Sequence, residues 1–174
     1  LGGDVEDDEN KYFIGMLDIF GFEVFQMNTF EQLLINYANE ALQGTFDRSV
    51  FINELELYRK EGLLKGNEED ELVIPDNTPC LELFEGPHVH PKGVKQGMEI
   101  GLLKLIDAES QLPKPSDEKM NATFHRVYDS NKFFGRIHPN DRRDKFIVVH
   151  YAGAVVYTVG SFVKKNRNGF LKPE

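Results

Sequence analysis

The feature that most limits the possible folds is an apolar segment, a D-x-x-G turn and one long helical pattern, in that order, over residues 14–61. Residues 12–17 are almost wholly apolar, which is typical of a strand buried on both faces of a sheet. Asp18 follows at the carboxyl end of this predicted strand, where open α/β sheets bind ligands and where a carboxylate can hold a metal-bound water. Gly21 lacks a Cβ, so its N–H can approach a phosphate. The order predicts a phosphate-sensing switch, although a strand that ends in an Asp-capped turn fits the same four residues.

The pattern that follows predicts one helix over residues 29–61. Asn28 and Glu31 have the spacing of an N-terminal capping box, and Gly62 supplies a stop signal. About 33 residues at 1.5 Å each would make a rod of roughly 50 Å, long enough to carry a displacement to a distant surface. Gly44 in its middle predicts a kink, a close packing contact or a tolerated defect. Apolar residues recur at intervals of three and four: Phe30, Leu33, Leu34, Tyr37, Ala38, Ala41, Leu42, Phe46, Val50, Phe51, Leu55 and Tyr58.

Shorter elements are predicted downstream from caps and periodicity. Asn77 or Thr78 can cap a helix that ends at Glu85, and Ser116 can cap another. His150 is expected to be a structural hydrogen bonder, because no Ser or Cys nucleophile lies in a supporting motif. The remaining predicted elements are helices over 98–108 and 117–129, a hairpin of strands 146–151 and 154–159, and a short basic helix or turn over 161–168.

Composition excludes several classes of protein. The formal net charge of −9 argues against nonspecific nucleic-acid binding and against an anionic membrane surface. Cys80 is the single cysteine, so an internal disulfide is impossible. The most apolar run, residues 146–159, is too short to span a bilayer, and no signal peptide is evident. We therefore expect a cytosolic, soluble protein. The chain opens without a start methionine, which indicates a piece of a longer product.

A series of runs in a fixed order resembles the myosin motor domain, and the first of them resembles switch II and the start of the relay helix. The resemblance covers nearly all of residues 11–168. The runs are 18–25 (DIFGFEVF), 28–33 (NTFEQL), 35–40 (INYANE), 42–43 (LQ), 76–81 (DNTPCL), 101–107 (GLLKLID), 113–114 (PK) and 150–153 (HYAG).

The resemblance implies an α/β, P-loop NTPase-like motor fold that is mainly α in this segment. It would contain one buried strand, a long relay helix, a helix–loop–helix and a β-hairpin. Within one motor domain the parts would be an acidic lead (1–11), the central-sheet strand and switch II (12–25), the relay helix and relay loop (26–75), lower-cleft helices with a basic loop (76–145), and the β-hairpin with a basic C-terminal segment (146–174).

The resemblance also implies roles for particular residues. Asp18 and Gly21 would lie at the ATP and Mg²⁺ site. Asp18 would hold Mg²⁺ through a water molecule and not directly. Gly21 and Glu23 would be catalytic, Glu23 by pairing with an arginine from another loop and helping to orient the attacking water. The residues that would transmit the change are Phe22, Asn28, Phe30, Asn39 and Glu40. The residues that would contact F-actin are Lys92, Lys95, Leu112, Pro113 and Lys114.

Lys92 and Lys95 lie in the 86–97 segment, a basic island that fits either the family's actin-facing activation loop or an inserted surface loop. The relay loop, within residues 62–75, lacks the aromatics that the family usually has in the loop that contacts the converter.

The chain contains no G-x-x-x-x-G-K-[ST] loop, and switch I and the converter would be further partners outside it. We therefore expect that this polypeptide alone neither binds nor hydrolyses ATP. One alternative is a non-catalytic actin- or partner-binding remnant without a working nucleotide site. Another, a GTPase-like switch of a different fold, explains the D-x-x-G but not the ordered runs that follow it. A P-loop upstream of Leu1 would favour the motor.

Overall fold

The computed structural model describes residues 15–63, 76–87 and 100–167, except for the side chain of Ile52. This part is mostly helical, with one small antiparallel sheet. The elements are α1 (Phe30–Lys60), α2 (Thr78–Glu85), α3 (Leu102–Ser110), α4 (Asp117–Tyr128), β1 (Phe134–Gly135), β2 (Lys145–His150), β3 (Gly153–Thr158) and α5 (Phe162–Arg167), with a 3-10 turn at Pro139–Asp141.

Helix α1 confirms the long helix that the sequence predicts, but its cap differs. Thr29 is the N-cap residue, and the Gln32 side chain accepts a hydrogen bond from the Thr29 N–H at 3.0 Å. The capping box predicted at Asn28 and Glu31 is therefore wrong. The Asn28 side chain is unavailable, because it accepts from the Phe25 N–H at 2.8 Å and donates to the Val156 carbonyl at 3.0 Å.

The predicted β-hairpin is confirmed. Strands β2 and β3 pair antiparallel, with Phe146 opposite Tyr157 and Val148 opposite Val155, and β1 adds a short strand on the other side of β2. Residues alternate along β2 between the core and partial exposure, as expected for a half-buried strand. The sheet therefore presents one face to the helices.

An aromatic core fills the space between the sheet and the helices. The Phe146 ring lies 5.3 Å from that of Phe124 and 6.0 Å from that of Phe162, so α4 and α5 each pack an aromatic ring against β2. Further fully buried core residues are Leu33, Cys80, Leu83, Phe84, Leu102, Ile106, Met120, Val148, Val155 and Tyr157.

The buried strand predicted over residues 12–17 is not borne out where it is described. Residues 15–17 have no strand structure and are exposed, and the Met16 side chain is 96% exposed. Residues 12–14 lie outside the described part. A strand needs partners for its backbone polar groups, and no strand among the described residues pairs with this segment.

Close backbone contacts fix two other boundaries. Helix α3 begins at Leu102 and not at residue 98, with Gly101 as its N-cap residue. A Cβ on Gly101 would lie 2.2 Å from the Phe84 carbonyl oxygen, so the end of α2 and the start of α3 touch here. At Gly44, a Cβ would lie 2.2 Å from Oδ1 of Asn77, which confirms the close-packing interpretation of that glycine.

The remaining predicted helices are confirmed. Asn77 is the N-cap residue of α2, although its side chain bonds to Glu40 and makes no capping hydrogen bond. The Ser116 hydroxyl caps α4 by accepting from the Lys119 N–H at 3.3 Å. The short basic helix is α5. Among the helices that the structure describes, none combines the length and apolar content needed to cross a bilayer.

Candidate functional site

Side chains of α1 hold the 18–25 segment by its backbone. The Asn36 carboxamide bonds to both backbone groups of Glu23, since Oδ1 accepts from the N–H and Nδ2 donates to the carbonyl, each at 2.8 Å. One turn further along the helix, Nδ2 of Asn39 donates to the Phe20 carbonyl at 2.9 Å. The segment and α1 are therefore joined at two points.

The predicted catalytic and nucleotide-binding residues all lie in this segment. Asp18 and Gly21 are exposed, and a Cβ built on Gly21 would meet no atom within 4 Å. Glu23 is half-buried, and its carboxylate accepts a 3.3 Å hydrogen bond from the Gln32 side chain. An exposed carboxylate and an exposed glycine leave both positions accessible to a ligand, and their assignment to phosphate and Mg²⁺ stays a prediction. The arginine partner of Glu23 stays a prediction.

Three of the predicted transmission residues connect this segment to the hairpin and to α5. The Phe22 ring meets the rings of His150 and Tyr151 edge to face, at centroid distances of 5.1 and 5.6 Å. Buried Asn28 bonds to β3, where its carbonyl also accepts from the Thr158 N–H at 2.9 Å. The Phe30 ring lies 5.4 Å from that of Phe162.

Glu40, another predicted transmission residue, belongs to a group of hydrogen-bonded polar side chains inside the protein. We call Asn36, Tyr157, His150 and Glu40 the buried network. Nδ2 of Asn36 contacts the Tyr157 hydroxyl at 2.9 Å, that hydroxyl lies 2.9 Å from Nε2 of His150, and Nδ1 of His150 lies 3.1 Å from the Glu40 carboxylate. All four residues are buried. The network runs from the residue that holds Glu23 to the middle of the core.

Protonation of the buried network follows from its partners. Burial raises the pKa of Glu40, but hydrogen bonds from His150, from the Tyr151 N–H and from Asn77 outweigh burial and lower that pKa below its ordinary value. Burial raises the pKa of Tyr157, so its hydroxyl stays protonated. In the neutral form of His150, the tautomer that matches an ionised Glu40 carries its proton on Nδ1 and donates it to the carboxylate. Nε2 of His150 then accepts from the Tyr157 hydroxyl, which in turn accepts from Asn36.

Glu40, Cys80 and His150 also offer a possible set of metal ligands, with ligand atoms within 4.8 Å of one another. The two carboxylate oxygens already accept from Asn77, Tyr151 and His150, and both ring nitrogens of His150 have partners. Burial and the nearby charge of Glu40 raise the pKa of the Cys80 thiol, which disfavours the thiolate that a metal needs. The arrangement fits a hydrogen-bonded core better than a metal centre.

Sequence reasoning missed Asn36, Tyr157 and Asn77 as site residues. One signal for Asn36 was available, because residues 33, 36, 40 and 44 share one helix face at intervals of three and four. That face begins with the buried Leu33 and ends with the buried Gly44. Polar Asn36 and Glu40 in an otherwise buried stripe indicate partners within the protein.

The predicted actin-contacting residues are described only in part. Leu112, Pro113 and Lys114 lie in the turn between α3 and α4 and are exposed. This turn is braced by the Glu109 carboxylate, which accepts from the Ser116 N–H at 3.0 Å. Lys92 and Lys95 lie outside the described residues, as does most of the predicted relay loop. Their roles stay predictions.

Comparisons with known proteins agree with the resemblance. The model of the family described as Myosin head (motor domain) matches residues 4–172. Over 165 residues, the chain is 41% identical to Myosin-2 of Saccharomyces cerevisiae, which covers 93% of this chain and 9% of that protein. It is 40% identical over 167 residues to human unconventional myosin-VI (91% of this chain, 12% of that protein) and 42% identical over 159 residues to yeast Myosin-4 (90% and 10%).

These matches show that the chain belongs to the myosin head (motor domain) family. It spans about a tenth of the length of the curated relatives that it matches.

Proposed function

We propose that this chain is the switch II, relay-helix and lower-cleft part of an ATP-driven motor that moves on F-actin. The observation that carries the proposal is the double attachment of the 18–25 segment to α1 through Asn36 and Asn39. Because α1 holds the segment by its backbone, a shift of the segment would displace the start of the helix. The motor would work in the cytoplasm on the actin cytoskeleton, with no nucleic acid and no membrane insertion.

Switch II would sense the terminal phosphate through three residues. The Gly21 N–H would contact the γ-phosphate, Asp18 would hold a water of the Mg²⁺ shell, and Glu23 would orient the attacking water. ATP supplies the phosphoryl group, and Mg²⁺ would neutralise its developing charge. The other phosphate contacts would come from a P-loop and switch I elsewhere in the complete motor.

The relay helix would carry the change away from the nucleotide. Its 31 residues span about 46 Å at 1.5 Å each. Beyond Gly44 its apolar residues Phe46 and Leu57 are exposed, at 61% and 45%. This exposed half is the part that would meet the converter of the complete motor.

The lower cleft would contact actin through the exposed turn at Leu112, Pro113 and Lys114. Lys92 and Lys95 would add an electrostatic contact to acidic actin. Reversing both charges (Lys92→Glu with Lys95→Glu) is expected to weaken cosedimentation with actin, more strongly at low salt. Unchanged cosedimentation at low salt would remove these lysines from the actin surface.

A glycine pair provides the test of switch II. In the motor domain that contains this chain, Gly21→Ala is expected to abolish actin-activated ATP turnover, because a Cβ would stand where the γ-phosphate must approach. Gly160→Ala is the matched control, since a Cβ on Gly160 likewise meets nothing within 4 Å and Gly160 is also exposed. Normal turnover in Gly21→Ala would overturn the assignment.

The isolated chain is expected to show no stoichiometric ATP binding by calorimetry, and such binding would contradict the need for a separate P-loop.

A further inference from the structure

We propose that Tyr157 and His150 are positioning residues for switch II, and that they act by fixing the orientation of the Asn36 carboxamide that receives the Glu23 backbone. This inference rests on the proposed function. It assigns to the hairpin β2–β3 a part in setting the switch, in addition to its part in the core. Neither residue touches the 18–25 segment through a hydrogen bond of its own.

The Asn36 amide has only one orientation that satisfies the Glu23 backbone. Oδ1 must face the Glu23 N–H, and Nδ2 must face the Glu23 carbonyl. A rotation by half a turn would place a donor against the donor and an acceptor against the acceptor, so two attractive contacts would become repulsive. The second proton of Nδ2 points to the Tyr157 hydroxyl at 2.9 Å.

The Tyr157 hydroxyl selects that orientation because its oxygen accepts a hydrogen bond from Nδ2 of Asn36 and has no proton left to donate to Asn36. Its own proton goes to Nε2 of His150, 2.9 Å away. Nε2 accepts in the neutral tautomer of His150 that carries its ring proton on Nδ1, the tautomer favoured by the Glu40 carboxylate 3.1 Å from Nδ1. Each step fixes the direction of the next, from the charge on Glu40 to the amide of Asn36.

Helix α2 anchors the far end of the buried network. Nδ2 of Asn77 donates to the Glu40 carboxylate at 2.9 Å and to the Glu40 carbonyl at 2.7 Å. The Tyr151 N–H donates to the same carboxylate at 3.0 Å. Three elements, α1, α2 and the hairpin, therefore meet at the residues that orient Asn36.

The test removes one hydroxyl from each of two buried tyrosines. Tyr157→Phe leaves Nδ2 of Asn36 and Nε2 of His150 without their partner, so the carboxamide loses its orientation. Tyr128→Phe is the matched control: its ring is also buried and packs on Phe134, and its hydroxyl donates to the Ile100 carbonyl, which has no part in the buried network.

Both variants are made in the motor domain that contains this chain, and three quantities are measured. These are the melting temperature, the ATP affinity and the amplitude of the rapid phosphate burst that reports switch closure. Both variants are expected to melt at a lower temperature. Tyr157→Phe alone is expected to lower the closure equilibrium by about tenfold, the effect of one lost hydrogen bond of ordinary strength, with ATP affinity unchanged.

Equal burst amplitudes in the two variants would overturn the inference and leave the buried network a purely structural feature. If Tyr157→Phe does not fold, His150→Asn serves instead. The shorter side chain can still donate to Glu40 but cannot reach Tyr157, and its closure equilibrium is expected to fall similarly. An unchanged burst in His150→Asn would overturn the inference. Normal turnover in Gly21→Ala would instead refute the switch itself, so the two failures are distinguishable.

Discussion

The Glu40 carboxylate lies 3.1 Å from Nδ1 of His150, and both side chains are fully buried. Glu40 lies on α1 and His150 ends β2, so this contact joins the long helix to the hairpin. Because both groups are away from water, the loss of either partner leaves the other with a desolvation cost that no solvent contact offsets.

Glu40→Gln is expected to lower the free energy of unfolding by about 1.5–3 kcal/mol, the range for hydrogen bonds to charged groups. The measurement is thermal or denaturant unfolding of the motor domain that contains this chain. Glu31→Gln is the control on the same helix, since Glu31 pairs with Lys165 at 2.6 Å but its side chain is 51% exposed. An exposed pair of this kind contributes only about 0.2–1 kcal/mol. Equal losses in the two variants would contradict the burial argument.

The pH dependence of the Glu40→Gln effect has a definite sign. The folded pKa of Glu40 lies below its ordinary value of 4.5, so the carboxylate contributes its full stability above pH 4.5 and loses it as the pH falls through the lowered pKa. The melting-temperature gap between the wild type and Glu40→Gln should therefore be largest near neutral pH and should narrow below pH 4.5. A gap that widens under acid would show that Glu40 is protonated in the folded state.

Local signals predicted most of the fold. The periodicity of α1, the proline and cap residues of α2, and the alternation along β2 each depend on neighbours in sequence, so they could be read without knowledge of the tertiary structure. The predicted strand is wrong at residues 15–17, because a strand requires sheet partners that the described residues do not supply. The capping box failed because Asn28 uses its side chain on β3, 128 residues further along the chain.

Only part of the candidate site could be proposed from the sequence. Asp18, Gly21 and Glu23 share a local motif, so they could be proposed together, and their roles stay predictions. Tyr157 and Asn77 could not be proposed with them, because their importance comes from contacts between α1, α2 and the hairpin that no spacing in the sequence records.

Ser161 adopts a backbone conformation that favours glycine, with φ at +68°. Its N–H donates to the Asp117 carboxylate at 2.7 Å, which holds it there at the start of α5. Ser161→Gly is expected to stabilise the protein by about 1 kcal/mol, because glycine has no Cβ to strain in this region. Gly62→Ala is the reciprocal control, because Gly62 has the same φ of +68° at the end of α1. This substitution is expected to lower the free energy of unfolding by a similar amount. Denaturant unfolding measures both, and a destabilised Ser161→Gly would contradict the assignment of strain.

Gly44 is expected to stabilise the fold, unlike most glycines in the middle of a helix. Replacing a mid-helix glycine with alanine ordinarily stabilises a helix by up to about 1 kcal/mol. Here the new Cβ would lie 2.2 Å from Oδ1 of Asn77, and Asn77 cannot retreat without loosening its two hydrogen bonds to Glu40. Gly44→Ala is therefore expected to destabilise the motor domain by about 1–3 kcal/mol, as overpacked cores do. The double variant with Asn77→Ala relieves the clash, so the cost of Gly44→Ala should shrink or change sign in that background. A stabilised Gly44→Ala single variant, measured by the same unfolding experiment, would show that α1 and α2 do not pack closely at this point.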